Sequence, residues 1–78
     1  MDEDILKQLT AREQAGLHLL QAQYGNLIRY VVRGILKDDR DVEECVNGIY
    51  LRVWDKIGQY DPEKGKLSTW LTAVARNA

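Results

Sequence analysis

The stretch that decides the fold reads DVEECVNGIYLRVWDKI and spans residues 41–57. Its apolar side chains recur at intervals of three and four residues, which places them along one face of an α-helix. These side chains are Val42, Cys45, Val46, Ile49, Tyr50, Val53, Trp54 and Ile57. Because no other segment offers as much apolar surface, the spacing predicts that the rest of the chain packs against this helix.

The opposite side of the same helix carries polar groups around a Gly–Leu pair. Leu51 points nearly straight away from the apolar side, and Gly48 precedes it on the same side. A glycine inside a helix costs roughly 1 kcal/mol relative to alanine, so an exposed one needs a reason. A partner-binding surface is one interpretation, and an ordinary exposed leucine is the other. We call the set Glu44, Asn47, Gly48, Leu51 and Asp55 the outer face.

The other apolar patterns predict further helices and no strand. A short helix is expected around residues 5–9, and the capping-box pattern from Thr10 to Glu13 predicts that the next helix starts at Ala11. Residues 24–26, Tyr-Gly-Asn, predict a break or kink, and a second apolar stripe runs over residues 27–35. The expected fold is all-α, a compact bundle of about four helices, because helices this short must bury their stripes against each other.

Polar residues predict how the 41–57 helix begins and ends. Asp39 or Asp41 can accept a hydrogen bond from a free N–H group at its start. Gly58 can take the left-handed conformation that closes helices. Residues 61–65, Asp-Pro-Glu-Lys-Gly, have turn chemistry, with positive φ tolerated at Gly65. They predict a long loop before the last helix.

The last helix is expected to start with Ser68 or Thr69 as its cap and to continue to the end of the sequence. No glycine, proline or polar tail ends it. We therefore expect residues 1–78 to form one domain, an N-terminal fragment of a longer protein whose last helix is cut off.

Composition and charge exclude several classes of protein. The net charge of −1 argues against a protein that holds duplex DNA by bulk electrostatics. No segment approaches the ~20 apolar residues of a membrane span, so no membrane partner is expected. The single cysteine and the acidic N-terminus without a signal peptide predict a cytoplasmic protein.

A catalytic or metal site is not indicated. His18 is the only histidine, and neither a carboxylate nor a cysteine lies at ligand spacing from it. No phosphate-binding glycine pattern and no local nucleophile–base pair occur. Glu43 and Glu44 suit the first turn of a helix better than an acid–base pair. The sequence predicts a protein that is not an enzyme and needs neither cofactor nor metal.

Two regions of positive charge allow more than one interpretation. Arg29, Arg33 and Lys37 form a basic ridge that is either a solvated face or a surface for acidic protein or phosphate. Residues 64–77 combine lysines, hydroxyl groups, a tryptophan, an arginine and an asparagine, a mixture that binds single-stranded nucleic acid. The alternative for Trp70 is core packing, and the loop lysines can equally be solvated.

Three motifs in fixed order resemble conserved region two of bacterial sigma factors, most closely the extracytoplasmic-function subgroup. They are DVEECVNGIYLRVW at residues 41–54, YDPEKG at residues 60–65, and STWL at residues 68–71 followed by Ala-Arg-Asn at residues 75–77. The resemblance covers the chain from about residue 5 onward. It implies a transcription initiation domain that binds RNA polymerase core through the clamp helices of the largest subunit. It also implies recognition and melting of the promoter −10 element as single-stranded DNA, the non-template strand.

The resemblance also assigns site residues by position. The implied polymerase-binding residues are Glu44, Asn47, Gly48, Leu51, Arg52 and Asp55. The implied DNA-binding residues are Lys64, Lys66, Ser68, Thr69, Trp70, Arg76 and Asn77. An anti-sigma factor is a further possible partner. The chain departs from the family pattern at Asn47 and Gly48, where many relatives have Gln and then an acidic residue. It departs again at Thr69, where housekeeping relatives carry an aromatic residue. The alternative interpretation of the whole chain is a helical protein-interaction module that does not bind DNA.

Overall fold

The helix α2 lies at the centre of the structure and packs against each of the other α-helices. The computed structural model describes residues 2–77. In these residues the chain forms α1 (Asp2–Thr10), α2 (Ala15–Arg33), α3 (Asp39–Lys56), a short 3-10 helix (Ile57–Gln59) and α4 (Leu67–Arg76). No strand occurs in this part of the chain. The prediction of an all-α bundle with four helices is confirmed.

The core takes side chains from every element. Where apolar residues recur at helical spacing, each amphipathic helix turns that side inward, since burying apolar surface drives such helices together. In α3 the predicted apolar side supplies four fully buried residues, and Cys45, Tyr50 and Trp54 pack at its edges. The buried residues are Ile5, Leu9, Leu20, Ile28, Val32, Val42, Val46, Ile49, Val53, Ile57, Leu67, Leu71 and Ala75.

The predicted break at residues 24–26 is wrong, because α2 runs through them without interruption. Gly25 is buried where α2 passes α3, and a Cβ atom at this position would lie 3.4 Å from the Tyr50 hydroxyl oxygen. The glycine therefore allows α2 and α3 to pack closely. Its unfavourable helix propensity, about 1 kcal/mol, is small enough for tertiary packing to override.

The predicted start of a helix at Ala11 is also wrong. Residues 11–14 form a turn between α1 and α2, in which Arg12 has a positive φ of 60°. The Glu13 amide donates to the Gln8 carbonyl at 2.9 Å, so it is not free for a Thr10 side-chain cap. This tight turn brings α2 against α1 so closely that a Cβ atom on Gly16 would lie 2.9 Å from the Leu9 nitrogen.

The helix caps also differ from the predicted ones. Asp38, rather than Asp39 or Asp41, caps α3, because its carboxylate accepts from the Arg40 amide at 2.8 Å and from the Asp41 amide at 3.4 Å. Lys66 is the N-cap of α4 and makes no side-chain cap bond, so the predicted caps Ser68 and Thr69 are wrong.

The ends of α2 and α3 lie earlier than the sequence predicted. The α3 helix ends at Lys56 and tightens into the 3-10 helix, and no glycine among residues 2–77 has a positive φ, Gly58 and Gly65 included. Ile35, predicted as part of the apolar stripe, lies beyond the end of α2 and is 57% exposed.

Two predictions concern membranes and the end of the sequence. Among residues 2–77, none of the helices combines the length and hydropathy needed to cross a lipid bilayer. The last helix was expected to continue to the end of the sequence, but α4 ends at Arg76 with Asn77 as its C-cap. The predicted truncation at Ala78 lies outside the described residues.

Candidate functional site

The outer face of α3 is open to solvent. Leu51 is 66% exposed at its centre, and Glu44, Asn47 and Asp55 are exposed around it. Gly48 lies one turn before Leu51, and a Cβ atom built on it would meet no atom within 4 Å. The two residues therefore form a shallow notch, an apolar side chain beside bare backbone. The prediction that α3 has one side in the core and one side free is confirmed.

Of the two glutamates at the start of α3, Glu43 takes part in an ion pair among residues 2–77 and Glu44 does not. Arg29 of α2 donates to both carboxylate oxygens of Glu43, so that Glu43 is turned toward α2. The hydrogen bond from Arg29 holds the pKa of Glu43 below its usual value, and the same bond raises the pKa of Arg29. Glu44, the next residue, is exposed on the outer face.

Arg12 holds the C-terminal end of α3. Its guanidinium lies 5.5 Å from the centre of the Trp54 ring and donates a hydrogen bond to the Trp54 carbonyl oxygen. The last carbonyls of a helix lack partners within the helix, and a cation is favourable there. The left-handed Arg12 thus joins the α1–α2 turn to the helix that carries the outer face.

The loop before α4 is closed by its own hydrogen bonds. The Asp61 carboxylate accepts from the Glu63 amide at 2.9 Å, and the Asp61 carbonyl accepts from the Lys64 amide at 3.0 Å. The Tyr60 hydroxyl donates to the Gly65 carbonyl at 2.8 Å. The turn predicted for residues 61–65 is confirmed, and these hydrogen bonds hold the loop in one conformation, which lowers the entropy cost of binding a ligand.

A pocket of about 300 Å³ lies between this loop and α4. Its aromatic wall consists of Tyr60 and Trp70, whose ring centres are 5.5 Å apart at an interplanar angle of 49°. Trp70 is half-buried, so it packs against the core and also faces the pocket. We call it the loop pocket, and its lining residues are Gln59, Tyr60, Asp61, Lys64, Gly65, Lys66, Thr69, Trp70 and Ala73.

Comparison with known proteins places this arrangement in a family. Residues 20–78 match the family model described as sigma-70 region 2. The chain belongs to the sigma-70 region 2 family. This membership confirms the predicted resemblance, and it supports the prediction that the chain is not an enzyme, since sigma factors are non-enzymatic initiation factors.

Individual relatives agree with this assignment. The chain is 31% identical over 71 residues to "ECF RNA polymerase sigma factor SigK" of Mycobacterium sp. (strain KMS), which covers 91% of this chain. It is 30% identical over 67 residues to "ECF RNA polymerase sigma factor RpoE" of Cereibacter sphaeroides, which covers 77% of this chain. The chain spans 37% of the length of each of these curated relatives. No solved structure matches it significantly.

Within this sigma-70 region 2 fold, six of the seven predicted DNA-binding residues line the loop pocket or a hollow that adjoins it, and Arg76 does not. Lys64, Lys66, Thr69 and Trp70 line the loop pocket. Ser68 lies in an adjoining groove, toward α1, that Lys64 and Lys66 also line, and its carbonyl accepts from the Thr72 hydroxyl at 2.8 Å.

The other two predicted DNA-binding residues lie on opposite flanks of α4. Asn77 lines a cleft of about 200 Å³ between α3 and α4, which it shares with Trp70 of the loop pocket and with Arg52, one of the predicted polymerase-binding residues. Arg76 opens onto a groove beside the end of α2. Arg52 therefore lies on the flank of α3 toward α4, whereas Leu51 and Gly48 lie on its outer face.

Sequence reasoning missed two residues that shape these surfaces. Tyr60 lies in the YDPEKG motif but is not among the predicted site residues, although an aromatic residue directly before an Asp-Pro turn could have indicated a pocket wall. Arg12 gave no signal, because its contact with Trp54 joins residues 42 positions apart.

Proposed function

We propose that this sigma-70 region 2 domain acts in transcription initiation by binding two partners on separate surfaces. The outer face, with Arg52 at its edge, binds the clamp helices of the largest subunit of RNA polymerase core. The loop pocket and α4 bind the melted non-template strand of the promoter −10 element. The observation that carries the proposal is the exposed Leu51 at the centre of a polar helix face, together with the family match.

The outer face has the composition of a small protein interface. Leu51 supplies apolar area at its centre, and the missing side chain at Gly48 leaves space for a partner's side chain. Glu44 and Asp55 supply carboxylates that can pair with basic groups on the clamp and orient it. A central apolar anchor inside a polar rim is the usual arrangement of binding energy in protein interfaces.

The loop pocket suits an unstacked base. Taking a base out of a duplex costs a few kcal/mol, and stacking on an aromatic side chain returns about 1–3 kcal/mol. Trp70 and Tyr60 supply the aromatic wall, while Lys64 and Lys66 supply positive charge for the adjacent phosphates. Because the loop is already ordered by hydrogen bonds to Asp61 and Gly65, little binding energy is lost in arranging it.

The proposed partners define where the protein works. A domain that binds RNA polymerase core and promoter DNA acts in the cytoplasm, and we include that location in the proposal. An anti-sigma factor is a further proposed partner, since a protein that covers the outer face would block the polymerase. We also propose that residues 1–78 act as one domain.

The test of the polymerase interface is the Leu51→Asp variant. Purified clamp helices are immobilised, and binding of the wild type and the variant is measured by biolayer interferometry. A carboxylate at the centre of the interface replaces buried apolar area with an unpaired charge, so we expect affinity to fall by at least about tenfold.

The matched control is Leu19→Asp, the same change at an exposed leucine that belongs to α2 and not to the outer face. It should bind as the wild type does. Circular dichroism of both variants establishes that they remain folded. If Leu51→Asp and Leu19→Asp bind the clamp helices equally well, the assignment of the outer face is wrong.

A further inference from the structure

The position of the Tyr60 ring depends on where the backbone enters the loop. The ring is half-buried between two hollows, with the loop pocket on one side and the adjoining groove toward α1 on the other. Its hydroxyl donates to the Gly65 carbonyl, a bond within the loop that does not tie the loop to α3. A shift of the Tyr60 backbone would therefore move this aromatic wall against Trp70 and change the shape of the loop pocket.

The backbone reaches Tyr60 directly from the end of α3. The helix ends at Lys56, and the 3-10 helix carries the chain to Tyr60, whose amide donates to the Ile57 carbonyl at 3.1 Å. Ile57 is buried, and α1 packs against the 3-10 helix. Hydrogen bonds in a 3-10 helix have poorer geometry than those in an α-helix. A contact that fixes the last turn of α3 therefore helps to fix the place of Tyr60.

Arg12, in the turn between α1 and α2, supplies such a contact. Its guanidinium lies 5.5 Å from the centre of the Trp54 ring and donates to the Trp54 carbonyl, six residues before Tyr60. This carbonyl belongs to the last turn of α3, where the acceptors run out of partners within the helix. Because the two contacts engage the ring and the backbone of Trp54, they restrict how the last turn of α3 can move.

The backbone of Arg12 is strained at the same point. Arg12 has a φ of 60°, and no other residue except glycine has a positive φ among residues 2–77. Glycine adopts this conformation readily, whereas a residue with a side chain is disfavoured there. A glycine would therefore form the turn at lower cost, and backbone strain of this kind indicates that the residue has a role. The two contacts with Trp54 show what the arginine side chain contributes.

We propose that Arg12 is a positioning residue for the loop pocket. It holds Trp54 at the end of α3 and so fixes the direction in which the 3-10 helix leaves and the place of Tyr60, on which an unstacked base of single-stranded DNA stacks. Arg12 itself does not touch the DNA. The inference rests on the proposed DNA-binding function and extends it to the turn between α1 and α2. The alternative is that Arg12 stabilises the fold and leaves the loop pocket unaffected.

The test measures binding of the 78-residue chain to a fluorescein-labelled thymidine 15-mer by fluorescence anisotropy, with nuclear magnetic resonance titration for weak binding. Arg12→Gln removes the guanidinium and should weaken binding about threefold or more, because part of the stacking on Tyr60 is lost. In a Tyr60→Ala background the same substitution should have no further effect, since a positioning residue acts through the side chain that it positions. The slope of log affinity against log salt should stay unchanged, whereas a direct phosphate contact would lower it by about 0.7.

Three further variants separate positioning from stability. Arg12→Gly removes the same contacts but relieves the backbone strain, so in urea denaturation it should be more stable than Arg12→Gln and yet bind the oligonucleotide no better. Arg12→Lys keeps a cation that can donate to the Trp54 carbonyl and should recover part of the affinity. Lys7→Gln is the matched control, because it removes one exposed charge from α1, and it should bind as the wild type does. Circular dichroism establishes that each variant is folded.

The outcomes distinguish this inference from the proposed function. The double variant Lys64→Gln with Lys66→Gln tests the loop pocket alone and should weaken binding. If it does so while Arg12→Gln binds as the wild type does, Arg12 is not a positioning residue and the proposed function stands. The inference is also overturned if the effects of Arg12→Gln and Tyr60→Ala add, if Arg12→Gly restores the affinity, or if the salt slope falls by one phosphate contact. If the wild type does not bind the oligonucleotide, the proposed DNA binding and the inference both fall.

Discussion

At the scale of single residues, Gly48 is the position where stability can be gained without disturbing the fold. It lies inside α3, and a Cβ atom there would meet nothing within 4 Å. Gly48→Ala should therefore raise the free energy of unfolding by up to about 1 kcal/mol, because alanine loses less backbone freedom on folding. Urea denaturation followed by circular dichroism measures this change.

The control for that prediction is the same substitution at a buried glycine. In Gly16→Ala the new methyl group would lie 2.9 Å from the Leu9 nitrogen, so α1 and α2 must move apart and stability should fall. The two substitutions should thus change the free energy of unfolding in opposite directions. A Gly48→Ala protein no more stable than the wild type would contradict the open space found around Gly48 on the outer face of α3.

At the scale of elements, the start of α3 depends on Asp38. Its carboxylate accepts from two backbone amides that have no partner inside the helix. Asp38→Ala should therefore lower the free energy of unfolding by about 1 kcal/mol. Asp39→Asn is the matched control, since Asp39 lies in the first turn but caps nothing. Equal loss in both variants, measured by urea denaturation, would mean that charge near the helix start matters and the cap does not.

The elements also show which features a sequence can predict. The spacing of apolar residues in α3 is local information, and it correctly gave both the buried side and the free outer face around Leu51. The continuity of α2 through Gly25 depends on Tyr50, which is distant in the sequence, so propensity alone predicted a break there. The predicted helix caps were wrong for a related reason. Several neighbouring residues could cap each helix, and tertiary packing decided among them.

The candidate site likewise has one part that the sequence predicts and one part that depends on the packing of the helices. The loop turn and the residues of the loop pocket lie close together in the sequence, and their grouping was predicted from the motif. The separation of Arg76 from Asn77 was not, because it depends on the flanks of α4 that face α2 and α3. Position in a family motif assigns a residue to a function, but only the packing of α4 shows that neighbouring residues open onto different surfaces.

At the scale of the whole molecule, Tyr24 joins the N-terminal helix to the centre of the bundle. Its hydroxyl donates to the Asp2 carboxylate at 2.7 Å, from α2 to the first turn of α1. Burial, followed by this hydrogen bond and the nearby negative charge, raises the pKa of Tyr24 from 10.0 to about 12. The folded protein therefore keeps the phenolic proton at a pH where the unfolded chain has released it.

This difference predicts a loss of stability in alkaline solution. A group whose pKa is higher in the folded state contributes its full stability below the unfolded value and loses it as pH rises to the folded value. For Tyr24 the window runs from pH 10.0 to about 12. Within it the contribution falls by at most about 1.4 kcal/mol per pH unit, and by less because the ring is partly exposed. The quantity to measure is the difference in unfolding free energy between the wild type and Tyr24→Phe, because this difference isolates the contribution of the Tyr24 hydroxyl. Urea denaturation at pH 9 to 12 should show the wild type as the more stable protein at the lower end, with the difference shrinking as pH rises. Parallel curves across this range would show that the bond between Tyr24 and Asp2 does not hold α1 to the bundle.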